Sequence, residues 1–391
     1  MKRELAFFLI FFSVQVALAA EADLASLPLP ENPSSFNRIR VAILQNKDQV
    51  TLFADAPYRV EAMPNRALID RGLRLSETKI TARGRGIRFG AKDFHFPGIR
   101  VMSDNGSIRV DSRNYREGVQ ILRDSHGKLM VVNELEVEDY LKGVLPSEMP
   151  HRWQEEALKA QAVASRTFAM FKALAKKNED YMLAGDVIGQ VYGGHGAEHA
   201  ATDRVVDETR GEILTFREQI FPAYFHSTCA GQTTHPEYNW DIEPHPALQG
   251  VKCFYCLKSK YQRWEKAVSI SDMERKLKLA GYRVGAISQI IPGKWDASGR
   301  AREIVIRHAG GSLVLRANDF RLAVGPDVVK SLKDLQVIRR GSRMTFAGRG
   351  WGHGVGMCQW GAKTLAEQGK TYREILEFYY PGAKITRIRG L

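Results

Sequence analysis

The chain has 391 residues, of which 44% are hydrophobic and 26% charged, with a formal net charge of +13. That balance belongs to a soluble globular protein with a sizeable core, not to a multi-span membrane protein, and the length allows two domains or one large domain with an arm. The surplus of Lys and Arg points to a polyanionic partner: nucleic acid, anionic lipid or an acidic wall polymer.

The first segment narrows that choice. "MKRELAFFLIFFSVQVALAAEAD" opens on Lys2 and Arg3, runs apolar from Leu5 to about Val16, and ends in small residues at Ala17, Ala19 and Ala20. This is the layout of a secretory signal peptide, residues 1–19, with cleavage expected after Ala19. The apolar run is shorter than the about 20 residues of a membrane span, and an uncleaved anchor is the alternative. No later segment is apolar enough to cross a bilayer, so no transmembrane span is expected after cleavage. An exported basic protein in the periplasm or cell envelope meets wall polymer, not nucleic acid.

Residues 20–37 are rich in Pro, Ser and Ala and read as a linker. Residues 38–114 carry short alternating runs with β-branched residues, and turns are expected at Pro97-Gly98 and Asn105-Gly106. "GVQILRDSHGKLMVVNEL" predicts a hairpin turning at Ser125-His126-Gly127. "EVEDYLKGVL" predicts a short helix with Val137, Tyr140, Leu141 and Val144 on one face, ended by Pro146. A long helix follows from about Trp153 to Lys177, with an apolar stripe through Trp153, Ala157, Ala160, Ala164, Phe168 and Phe171. Strands return at "GEILTF" and "IFPAYFHST". A mixed segment leads to a glycine-rich block, and a last helix is expected near Tyr372–Tyr379. The pattern is α+β: mixed helices and antiparallel strands forming a groove, preceded by a β-rich N-terminal region, with the main domain over residues 115–391.

Three local features bear on chemistry. Glu148 stands between Pro146 and Pro150, which fix their own φ and restrict Leu145 and Met149. A stiff backbone suits a general acid that must stay within reach of one atom, although a helix-capping role fits the same position. The nearby helix N-terminus would favour its charged form, and burial against Met149 and Trp153 would oppose it. Arg166, off the apolar stripe, could pair with Glu148, hold an anionic substrate group, or be a solvated charge. Glu134, Glu136, Glu138 and Asp139 read as solvated or helix-start charges. Gln190 and Tyr192 offer an amide and a ring to a sugar, or serve the fold.

The second feature is the cysteine set. His226-x2-Cys229 and Cys253-x2-Cys256 make a plausible structural zinc site, with His235 and His245 as alternative ligands. A disulfide from Cys229 to Cys253 or Cys256 is the other reading in an exported chain. Cys358 is left over, without a role. The third feature, "GRGWGHGVGMCQWGA", completes no phosphate-loop spacing. Its alternating glycines suggest backbone packed closely on another surface, with Trp351 and His353 projecting from it, to stack on a sugar ring and support a site with Gln359 or simply to serve a closely packed strand and turn.

"VVNELEVEDYLKGVLPSEMPHRWQEEALKAQAVASRTFAM", "ATDRVVDETRGEILTF…AYFHSTCAGQT" and "GRGWGHGVGMCQWGAKTLAEQG", in that order, resemble the SpoIID/LytB family of stage II sporulation protein D and amidase-enhancer proteins. The resemblance runs from roughly Tyr115 to Pro381. It implies a lytic transglycosylase that cleaves peptidoglycan glycan strands, with Glu148 as catalytic acid and Arg166 as a required active-site residue. It implies no cofactor for catalysis, and some members carry a Cys/His zinc site. The alternative within the family is a non-catalytic, wall-binding enhancer of a cell-wall amidase. A role in sporulation does not follow from it.

Overall fold

The structure, a computed structural model, describes residues 25–30, 37–185 and 190–389. The expected signal peptide, 1–19, and most of the expected linker lie outside the described residues. The chain divides into two compact units, Leu27–Pro222 with Ile385–Leu391, and Ala223–Lys384. Among the described residues no helix is long and apolar enough to cross a membrane. Mixed helices and antiparallel strands confirm the α+β class.

The first unit is built on an eleven-stranded, curled sheet. Its strands are β1 (Arg38–Lys47), β2 (Gln49–Ala54), β3 (Tyr58–Met63), β4 (Leu68–Gly72), β5 (Leu75–Arg83), β6 (Gly86–Phe89), β7 (Lys92–Phe94), β8 (Gly98–Val110), β9 (Arg113–Arg123), β10 (Leu129–Glu136) and β11 (Leu183–Ala184). They pair in the order β11-β1-β10-β9-β8-β2-β5-β6-β7, with β3 joining β8 and β4. The residue drawn as the start of the main domain, Tyr115, lies inside β9. The β-rich region and the helices after it therefore share one unit.

Alternation explains which face is covered. Ile39 and Val41 of β1, Val119 and Ile121 of β9, and Val131 of β10 are fully buried. The β9–β10 hairpin turns at 124–128 as the sequence predicts, with Gly127 at φ 76°. The expected turn at Asn105-Gly106 is instead part of β8. There the pairing jumps from Ser107↔Arg116 to Met102↔Gly118, so residues 103–106 bulge opposite Glu117. Gly106 (φ 71°) and Glu117 (φ 60°) supply the left-handed backbone the bulge needs.

Three helices follow: α1 (Val137–Glu148), α2 (Glu155–Ala175) and α3 (Ala200–Glu208). Pro146 does not end α1 but sits in its last turn. The break comes two residues after Glu148, where Pro150 pushes Met149 into extended backbone (φ −132°, ψ 137°). Helix α2 is buried on nearly every face from Ala157 to Ala173, and its alanines permit that enclosure. It packs against α1, α3 and β12 (Glu212–Phe216).

In the second unit, two three-stranded antiparallel sheets hold most of the core. One joins β13 (Trp264–Ser269), β18 (Arg343–Arg349) and β17 (Lys333–Arg340), and the other β14 (Ile287–Trp295), β15 (Ala301–His308) and β16 (Gly311–Arg316). Helices α4 (Ile270–Leu279) and α5 (Ala317–Val324) fill the space with Met273, Leu277 and Phe320, against Ile304, Ile306 and Phe346. Helices α6 (Gln359–Glu367) and α7 (Tyr372–Tyr379) close the unit, and α7 begins on a Thr371/Glu374 capping box.

Candidate functional site: a braced glutamate and a cysteine cluster

Glu148 is the last residue of α1 and is half-buried. It therefore stands at the negative end of α1 as well as six residues before the N-cap of α2, because α1 runs through Pro146. Its Oε1 accepts a hydrogen bond from the Val191 amide at 3.1 Å. Val191 is brought there by a close approach of the 190–194 segment to α1. The Gly193 amide donates to Gly143 O at 3.0 Å. A Cβ on Gly143 would stand 2.5 Å from the Tyr192 ring, so only glycine permits the contact.

Gln190 and Tyr192 are inside, not on a sugar-binding surface. Gln190 is fully buried, accepts from Tyr140 Oη at 2.9 Å and donates to Ser165 O at 3.1 Å. Tyr192 donates to Asn133 Oδ1 at 2.8 Å, with its ring 5.1 Å from that of Tyr140. With these groups committed to internal partners, both residues support the floor beneath Glu148. Burial pushes the Tyr140 hydroxyl well up from its usual range, and the nearby Glu148 carboxylate adds to the shift.

Arg166 does not pair with Glu148. It is wholly buried and forms a two-pronged ion pair with Glu138, Nε to Oε1 at 3.0 Å and Nη2 to Oε2 at 2.8 Å. Its remaining donors reach Glu212 O at 3.0 Å and Val206 O at 3.2 Å, while Glu138 Oε1 also accepts from the Gly211 amide at 3.0 Å. Glu138 is thus not a solvated charge but the counter-ion of a buried arginine. The sequence carried a usable signal: Glu138 stands three and seven residues before the apolar Leu141 and Leu145, on their helical face. The pair ties α1 to α2 and to the segment 206–212, so it fixes the helix whose last residue is Glu148.

In the second unit the four thiols of Cys229, Cys253, Cys256 and Cys358 lie within 4.8 Å of one another, all buried. Cys358, which has no nearby cysteine in sequence, completes the cluster. His226 stands outside this set. Its Nδ1 meets Val355 O at 3.1 Å, and burial beside Arg300 pulls its pKa down to about 3. His235 pairs with Glu237, and His245 caps Ala247. The four cysteines are free thiols, and Cys229 Sγ is 3.5 Å from Cys256 Sγ, well beyond a disulfide bond of about 2.05 Å. Hydrogen bonds from Cys229, Cys253 and Cys358 draw the Cys256 thiol down, and burial pushes Cys358 up. Buried Arg300 donates to Cys229 O at 2.8 Å beside the cluster.

The glycine-rich block packs as closely as its pattern suggests. Gly350, Gly352, Gly354 and Gly356 all have positive φ. A Cβ on Gly354 would lie 2.4 Å from Arg300 Nε, and one on Gly352 2.7 Å from His226 Cβ. Trp351 is half-buried, edge-on to Tyr261 at 4.2 Å, with Lys330 Nζ 4.4 Å from its ring centre. The ring thus already has an internal cation partner in Lys330. Gln359 is buried at the first position of α6. His353 is half-buried, 5.0 Å from the Trp240 ring, and burial pulls its pKa well below its usual value, helped by nearby His226 and Arg321. Trp240, stacked on Tyr224 at 4.4 Å, joins this aromatic group without any local motif to mark it.

These features define a class: an α+β protein with a backbone-anchored glutamate at a helix end in one unit, and a glycine-rich turn over a cysteine cluster in the other. The family model described as Stage II sporulation protein (SpoIID) matches residues 125–216. A domain of unknown function, DUF8618, matches residues 246–356. An uncharacterized protein of Brachyspira hyodysenteriae is 33% identical over 352 residues, covering 89% of this chain and 93% of the relative. Stage II sporulation protein D of Bacillus subtilis is 33% identical over 271 residues, 65% of this chain and 76% of the relative. An amidase enhancer of the same organism is 27% identical over 355 residues, 73% of this chain and 48% of the relative. The chain belongs to the SpoIID/LytB family.

Proposed function

We propose that the chain is an exported, cell-wall-acting protein and a lytic transglycosylase of peptidoglycan glycan strands. The observation that carries this reading is Glu148, half-exposed at a helix end with one carboxylate oxygen anchored to the Val191 amide. Ordinary glycosidases need a second carboxylate to activate water or attack the sugar. A transglycosylase manages with one. Glu148 as acid protonates the oxygen linking N-acetylmuramic acid C1 to N-acetylglucosamine, and the C1–O bond breaks. The resulting carboxylate takes the proton of the muramoyl C6 hydroxyl as O6 bonds to C1, which closes the 1,6-anhydro ring and restores the acid. No water is consumed. Export rests on the apolar run near the N-terminus.

The brace around Glu148 has its own test. Pro150→Ala removes the restriction that keeps Met149 extended, so α1 can run on and re-aim the carboxylate. Turnover on glycan strands should fall by about tenfold or more, while the thermal unfolding midpoint stays near wild type. Equal losses of both would mean that the proline serves folding alone.

A structural zinc ion fits the cysteine cluster. Tetrahedral Zn–S bonds of about 2.3 Å set sulfurs about 3.8 Å apart, compatible with four thiols within 4.8 Å. Cys229, Cys253, Cys256 and Cys358 would hold it. With four protein ligands no position is open for water, so its contribution is to folding, not to glycan cleavage. Elemental analysis of purified protein should find about one equivalent of zinc, retained in His226→Ala and reduced in Cys358→Ser. Less than about half an equivalent in the wild type would count against the site.

The second reading is a wall-binding amidase enhancer without glycan cleavage, favoured by the name of the Bacillus subtilis relative. A cell-wall amidase is then the partner. The readings part on whether anhydromuramoyl ends appear with purified strands and no amidase present.

A further inference from the structure

We propose that the loop bearing Cys253 and Cys256 docks the protein on the surface of an anionic lipid bilayer. From Lys252 to Lys260 the chain alternates sharply between inside and outside. Cys253, Cys256 and Ser259 are buried, whereas Lys252, Phe254, Leu257, Lys258 and Lys260 are exposed. Phe254 is 65% exposed and Leu257 63%.

The inward groups pin the loop. Gly231 pairs with Cys253 and Gln232 with Lys252 across a short antiparallel ladder. Gln262 Nε2 donates to Cys256 O at 2.6 Å, and Ser259 Oγ meets Thr228 Oγ1 at 2.7 Å. These bonds fix the backbone positions from which Phe254 and Leu257 face outward. Large apolar side chains held outward by buried anchors are a feature of surfaces that meet a partner.

Charge identifies the partner. Between Lys252 and Lys266 the sequence has five basic residues (Lys252, Lys258, Lys260, Arg263 and Lys266) against one acid, Glu265. An aromatic and a leucine flanked by lysines match the boundary between acyl chains and anionic headgroups. A hydrated glycan polyanion would satisfy the lysines and offer a sugar face to Phe254 but leave Leu257 in water, and a neutral lipid would waste the lysines. The inference does not depend on glycan cleavage or on zinc, since its readout is vesicle binding.

The test is co-sedimentation of the full chain with vesicles of phosphatidylglycerol and phosphatidylcholine in equal parts, with phosphatidylcholine alone as control. Wild type should bind the anionic vesicles and release them at high salt. Phe254→Ser with Leu257→Ser should weaken binding about tenfold, and Lys252→Gln with Lys258→Gln and Lys260→Gln about 100-fold. Both variants change exposed positions, so both should unfold at the wild-type temperature. Wild type that ignores anionic vesicles overturns the proposal. So do variants that bind them like wild type, which would place the contact elsewhere, such as the apolar N-terminal run. Vesicle-independent binding to purified glycan strands that the Phe254/Leu257 variant abolishes would assign the loop to wall polymer instead.

Discussion

Glu148→Gln should abolish anhydromuramoyl products from purified glycan strands, with a fall of about 10³-fold or more, because the same carboxylate gives and then recovers the proton. Glutamine keeps the shape and can still accept from the Val191 amide through its carbonyl oxygen, so the fold should be untouched. Mass spectrometry of digests from the two proteins, alongside their thermal unfolding, makes the comparison. Equal product from both would remove Glu148 from the chemistry. Product from neither would favour the enhancer reading. Separately, Glu148→Asp keeps the charge but draws the carboxylate back by one methylene, and it should also be nearly inactive if position matters as much as charge.

The second large effect concerns Arg166 and Glu138, and it falls on stability. Removing one partner leaves the other charged and dry, since Arg166 and Glu138 have side-chain exposures of only 0% and 2%. Arg166→Ala or Glu138→Ala alone should cost about 3–5 kcal/mol and lower the unfolding midpoint by roughly 10 °C. The double change to Met and Leu, which fills the space and removes both charges, should recover much of that loss. Glycan cleavage measured per folded molecule should persist in the double variant if the pair only holds α1 in place. A folded double variant with no activity would restore Arg166 to direct contact with substrate.

The two sites differ in how far they could be read along the chain. The brace was legible because Pro146, Glu148 and Pro150 act through neighbouring dihedral angles, which are local. So was the close packing of the glycine-rich turn, since glycine at Gly350, Gly352, Gly354 and Gly356 leaves only backbone to approach a neighbour. That α1 runs on to Glu148 was not legible, because proline in a last turn loses only one hydrogen bond, and α1 tolerates it. Cys358 was missed for another reason. It lies 102 residues beyond Cys256, and no spacing rule spans a loop of that length. Local pairing of His226 with Cys229 looked complete, yet the strand pairing of Phe225–His226 with Met357–Cys358 brings a distant thiol in and turns the imidazole to Val355.

By itself, then, the sequence determined the α+β class, the helices α1, α2 and α7, the braced glutamate and the family. Each depends on local dihedral preference, on periodicity, or on motifs read in order. The tertiary structure alone decided who meets whom: Arg166 with Glu138, Gln190 with Tyr140, Cys358 with the other thiols. Partner choice among buried polar groups is a matter of long-range closure. Every such group must find its hydrogen bond or counter-charge somewhere in the packed interior, and nothing in its immediate sequence says where.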